Sequence, residues 1–97
     1  MKTDVIIEGR GLEELYHYLA GTGITLDVKY RFNHWLLSAE IAAVMVNGDR
    51  EEIVSVLLGY YEERQGKDVV VTIDGKEKVS FKGKEIAVIR QELLTHV

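Results

Sequence analysis

The chain has 97 residues with no cysteine and no proline, a formal net charge of −4 and 46% hydrophobic residues. This fits one globular domain with a modest core, and it excludes a disulfide scaffold, thiolate metal sites and cysteine nucleophiles. The acidic balance argues against a general nucleic-acid binder. No apolar run nears the roughly 18 residues of a membrane span and no signal-peptide pattern is visible, so a cytoplasmic single-domain protein, residues 1–97, is expected.

Asp4–Glu8 reads as a short strand with Val5 and Ile7 on one side. Gly9-Arg10-Gly11 follows. A dinucleotide fingerprint needs a third glycine three residues after the second, and that position is Glu14, beside Glu13. Two carboxylates in a helix's first turn complement its dipole and repel a phosphate, so the glycines read as a turn. Leu12–Ala20 has helical spacing, with Leu12, Leu15, Tyr16 and Leu19 on one stripe. Gly21 and Gly23 are expected to end it, glycine adopting the left-handed cap freely.

Leu26–Asn33 alternates: Leu26, Val28, Tyr30 and Phe32 on one face, Asp27, Lys29, Arg31 and Asn33 on the other. That is a strand with one buried and one wet face. Tyr30 and Phe32 read as core and not as a base-stacking platform, since they share their face with Leu26 and Val28. Residues 35–47 allow two readings. Ala and Glu dominate the middle and predict a short helix stopped by Asn47-Gly48; the same letters permit a strand with Trp35, Leu37, Ala39, Ile41 and Ala43 on one face.

Asp49-Arg50-Glu51-Glu52 offers an N-cap, a glutamate three residues later and acids where the dipole favours them. The helix it starts carries Ile53, Val54, Leu57, Leu58, Tyr60 and Tyr61 and is expected to run to Gly66. Val69–Ile73 and Glu77–Phe81 form a hairpin around Asp74-Gly75. A two-residue turn would set Lys78 opposite Val71, whereas a three-residue connection, Asp74 to Lys76, pairs Val71 with Val79 and Val69 with Phe81; the hydrophobic pattern favours the latter. Lys84–His96 closes the chain as a helix with Ile86, Ile89 and Leu93 inward.

The order β-α-β-(α or β)-α-β-β-α predicts an α+β two-layer sandwich, a ferredoxin-like variant with about four strands and helices on one face. No constellation for chemistry is legible. His17, His34 and His96 are scattered, and Glu13 with His17 is one helical pair short of the ligands a zinc site needs. The doublets Glu13-Glu14, Glu51-Glu52 and Glu62-Glu63 diverge around their helices, and Ser38, Ser55 and Ser80 lack a nucleophile-elbow context. No catalytic residue, cofactor or metal is expected. Charge placement is the main hint: acids gather on the helices, while Lys29, Arg31, Lys78 and Lys82 gather on the expected outer sheet face. With Trp35, these are the expected partner-binding residues, suited to an acidic surface or to head-to-tail self-association; the other reading is that the lysines keep exposed strands soluble and block edge pairing and that Trp35 serves packing.

The run from "VIIEGRGLEELYHYL" through "DVKYRF" to the long helix and "VVVTIDGKEKVSF" resembles the effector-associated constant component, one of the small effector-associated modules of bacterial conflict systems. The likeness spans most of the chain at the level of element order and carries no functional residue across. It implies a non-catalytic adaptor in bacterial defence that joins an effector to its partner by protein–protein contact, although such modules usually stand beside an effector domain in a longer chain. The alternative from the residues alone is a small regulatory domain binding a metabolite or nucleotide at a dimer interface.

Overall fold

The computed structural model describes residues 2–32, 40–64 and 68–95, with side chains described at 2–28, 41–64 and 68–94. The elements are β1 (Lys2–Gly9), α1 (Leu12–Ala20), β2 (Thr25–Phe32), β3 (Glu40–Asp49), α2 (Arg50–Glu62), β4 (Val69–Ile73), β5 (Glu77–Ser80) and α3 (Ile86–Thr95). The five strands form one sheet in the order β2-β3-β1-β4-β5, antiparallel throughout. β1 and β2 are therefore parallel with β3 between them, and β3 and β4 are parallel with β1 between them. These two interleaved β-α-β units are the ferredoxin-like arrangement, extended by β5 and α3.

The helix expected over residues 35–47 is not formed where the chain is described: Glu40–Asp49 is a ten-residue strand. Its Ala-rich start has helix propensity, but β3 is hydrogen-bonded on both sides, to β1 and β2, and pairing of that extent overrides a weak local preference. Asn47-Gly48 does not stop it; Asn47 pairs with Asp4 and Gly48 with Thr3. Trp35, Leu37 and Ala39 lie outside the described residues. The register between β2 and β3 is irregular around Tyr30, and beside this irregularity the Ile41 N–H donates to Glu13 Oε1 at 3.0 Å. The acid in the first turn of α1 thus ties that helix to the sheet.

Gly9-Arg10-Gly11 is a turn with two different demands. Gly9 has φ 146°, and a Cβ there would stand 2.2 Å from the Asp68 carbonyl oxygen and 2.8 Å from Val69 Cα. The Arg10 N–H donates to that same carbonyl at 3.1 Å. Gly11 is the N-cap of α1 with φ 71° and no side-chain cap; a Cβ there would meet nothing within 4 Å. At the other end of α1 the expected left-handed cap moves: Gly21 is right-handed at φ −73°, and Gly23 takes positive φ, 82°, because Gly21 still donates to the last carbonyls of the helix.

α2 starts as expected, with Asp49 Oδ2 accepting from the Glu52 N–H at 3.3 Å. It ends at Glu62, short of Gly66, which lies outside the described residues. Arg64 Nη1 donates to the Tyr60 carbonyl at 2.7 Å, satisfying a last-turn acceptor. The hairpin takes the three-residue connection: Val71 pairs with Val79 and Ile73 with Glu77, and the Phe81 N–H donates to the Val69 carbonyl at 3.0 Å. Asp74 and Gly75 have φ 52° and 70°, the positive values that mirror-image hairpin turns require.

All three helices pack on one face. Leu12, Leu15 and Leu19 of α1, the six expected apolar residues of α2, and Ile89 and Leu93 of α3 form a single cluster with Val5, Ile7, Val44, Val46, Val71 and Val79 of the sheet. Arg50 locks the far corner, its Nε donating to the Leu93 carbonyl at 2.9 Å and its guanidinium pairing with Glu77 at 3.2 Å.

Candidate functional site

Among the described residues no helix packs on the opposite face of the sheet, and strand alternation dictates what it presents. Between the inward Val5 and Ile7 stands Ile6; between Val44 and Val46 stands Met45; between Val69 and Val71 stands Val70. Across the three central strands the chain therefore reads as continuous apolar triplets, the pattern of a strand covered on both faces. In the monomer Ile6, Met45 and Val70 are only half-buried.

The pairing registers align these residues into rows. One row crosses all five strands: Asp27 of β2 opposes Met45 of β3, Met45 opposes Ile6 of β1, Ile6 opposes Thr72 of β4, and Thr72 opposes Lys78 of β5. The next row holds Ala43, Glu8, Val70 and Ser80. On the other side, Asn47 opposes Asp4, and the Asn47 amide donates to the Asp4 carboxylate. Asp74 continues that side: its Oδ1 accepts from the Asp4 N–H at 3.1 Å, and its own N–H donates to the Asp4 carbonyl at 2.8 Å.

Thr72 is the unusual member. It is 7% exposed, and its hydroxyl has no hydrogen-bond partner among the described residues. A buried hydroxyl without a partner costs about 1–3 kcal/mol. It sits within the apolar row, between Ile6 and Lys78.

The expected partner-binding residues are not gathered together. Lys78 is exposed on β5 and Lys82 is exposed just beyond it. Lys29 and Arg31 belong to β2, the opposite edge, so four strand spacings, about 19 Å, separate the two edges. Trp35 lies outside the described residues. The described side chains of this face are mixed in charge, with the exposed carboxylates of Asp4, Glu8 and Asp27 beside Lys78. The expectation missed Ile6, Met45 and Thr72. The signal for Ile6 and Met45 was present in the apolar triplets, which alternation alone leaves unexplained; Thr72 lies outside them and is placed only by its pairing with Ile6.

The other features of the surface are structural or mixed. A cleft of about 300 Å³ lies between β1, the ends of β2 and β3 and the first turn of α2, with Lys2, Asn47, Asp49 and Glu52 on its polar walls. Asp49 is committed to the helix cap, and the two acids disfavour an anionic ligand. On the helix layer the Arg64 guanidinium lies 3.7 Å over the Tyr60 ring, and Tyr18, 43% exposed, packs on Tyr60 with ring centroids 5.2 Å apart. Burial raises the Tyr60 phenol pKa, Arg64 opposing and Glu14 adding to the shift. Burial also raises that of Tyr61, with Tyr60 adding to it. Glu13 is held by the Ile41 N–H, and no group of three or more His, Asp or Glu converges among the described residues.

No helix among the described residues is long and apolar enough to cross a membrane. In comparisons with known proteins, the chain matches no protein-family model, no curated protein and no solved structure.

Proposed function

We propose that this chain is a non-enzymatic protein-interaction module that docks through its helix-free sheet face, the adaptor role implied by the resemblance to effector-associated modules of bacterial defence. One observation carries the reading: each of three adjacent central strands carries an apolar residue outward between two inward ones, while among the described residues helices cover only the inward face. Val5-Ile6-Ile7, Val44-Met45-Val46 and Val69-Val70-Val71 have the composition of doubly covered strands, and a macromolecular surface would supply the missing cover. An apolar centre with a charged rim is the usual anatomy of a protein interface, and Lys78 and Lys82 mark its basic end.

The test compares capture by the tagged wild-type chain and by Ile6→Glu from nuclease-treated native-source extract, each variant first shown to be folded by circular dichroism. A stoichiometric protein, the untagged chain included, should be retained by the wild type and lost on Ile6→Glu, with Lys78→Glu combined with Lys82→Glu weakening it. Capture that survives Ile6→Glu in a folded protein would remove this face as the docking surface.

A further inference from the structure

We infer that the occupant of the helix-free face is a second copy of this chain, packed sheet to sheet about a two-fold axis along β1. This rests on the docking role proposed for that face and names its partner. The row that crosses the sheet is complementary to itself about this axis. β1 is the middle strand of five, so a two-fold axis along it sets β2 against the partner's β5 and β3 against its β4, while preserving position along the strands. In the row Asp27, Met45, Ile6, Thr72, Lys78, Asp27 of each copy then faces Lys78 of the other, Met45 faces Thr72, and Ile6 faces Ile6. An isologous interface must be self-complementary in this way, and this row is acidic at one end, basic at the other and apolar at its middle.

The apolar surface left for a second copy lies around the axis: Ile6, Met45 and Val70 are half-buried, whereas Thr72 at 7% and Ala43 at 1% exposure are already buried within each copy and form the floor beneath them.

Two carboxylates oppose the arrangement. Asp4 and Glu8 flank Ile6 on the axis strand, each about 7 Å along it, and each meets its own copy. Strand alternation fixes them there, so this geometry makes a prediction that a basic partner would reverse: neutralising Glu8 tightens self-association, whereas it would weaken binding of a cationic surface. The face is roughly 19 Å wide and 25 Å long, giving roughly 1,000 Å² for the pair. That is the small end of specific interfaces, the size of weak, transient association.

Sedimentation velocity on the full chain, from about 5 to about 500 μM at low salt, decides the matter. The mass should rise from 11.0 kDa to twice that value. Asp27→Lys and Lys78→Glu should each weaken association about tenfold, their combination should restore most of it, and Glu8→Gln should tighten it severalfold. Circular dichroism and melting confirm that each variant is folded. A chain that stays at 11.0 kDa across the range, a double reversal that fails to rescue, or a Glu8→Gln that loosens the dimer would each overturn the second copy as occupant. The docking reading itself fails separately, when Ile6→Glu leaves capture of a heterologous partner intact.

Discussion

Replacing Gly9 and Gly11 separately by alanine distinguishes two reasons for glycine in one tripeptide. At Gly11 a Cβ meets nothing within 4 Å, and only the positive φ of 71° is penalised, which is worth about 1–2 kcal/mol. At Gly9 the Cβ would stand 2.2 Å from the Asp68 carbonyl oxygen and 2.8 Å from Val69 Cα, with φ at 146°. Both obstacles are backbone, so relief means parting β1 from the start of β4 and stretching the 3.1 Å hydrogen bond from Arg10. Overpacking of this kind costs about 1–3 kcal/mol and the strained dihedral about 1–3 more. Gly9→Ala should therefore lose about 3–4 kcal/mol, a Tm drop of roughly 12–32 °C for a domain of this size, against about 4–16 °C for Gly11→Ala. Urea denaturation with parallel calorimetry reads both. Equal losses, or a Gly9→Ala variant within about 1 kcal/mol of wild type, would refute the assignment of close strand approach to Gly9.

Thr72→Val keeps shape while removing an unpartnered buried hydroxyl, so it should stabilise the monomer by about 1 kcal/mol in urea melts at low concentration; a destabilised variant would show that the hydroxyl has a partner. Arg50→Met removes the bond to the Leu93 carbonyl and the Glu77 pair. The half-exposed ion pair contributes little, so the expected loss is about 1 kcal/mol from the carbonyl bond, and hydrogen exchange should quicken selectively in the last turn of α3. Burial raises the folded Tyr61 phenol above its ordinary value. The unfolded phenol releases its proton from about pH 10 upward while the folded one keeps it, so stability is full below that pH and falls as pH climbs above it. Tyr61→Phe should flatten this alkaline loss, and an unchanged slope would remove Tyr61 as its cause.

The sequence by itself determined the local elements whose residues act on their immediate neighbours. The stripe Leu12, Leu15 and Leu19 placed α1, Asp49 and the acids after it placed the start of α2, and opposing Val71 to Val79 selected the hairpin register, because a one-residue slip would turn every core side chain outward. Tertiary structure decided what depends on distant partners. Residues 40–47 carry helix-favouring letters yet form β3, since pairing with strands on both sides outweighs propensity. The same insertion of β3 between β1 and β2, with β4 and β5 on the far side, sent β2 to one edge of the sheet and β5 to the other, parting Lys29 and Arg31 from Lys78 and Lys82. It also aligned Met45, Ile6 and Thr72 into one row between Asp27 and Lys78. No window of the sequence contains that row, because its five residues come from five strands and meet only through the order in which those strands pair.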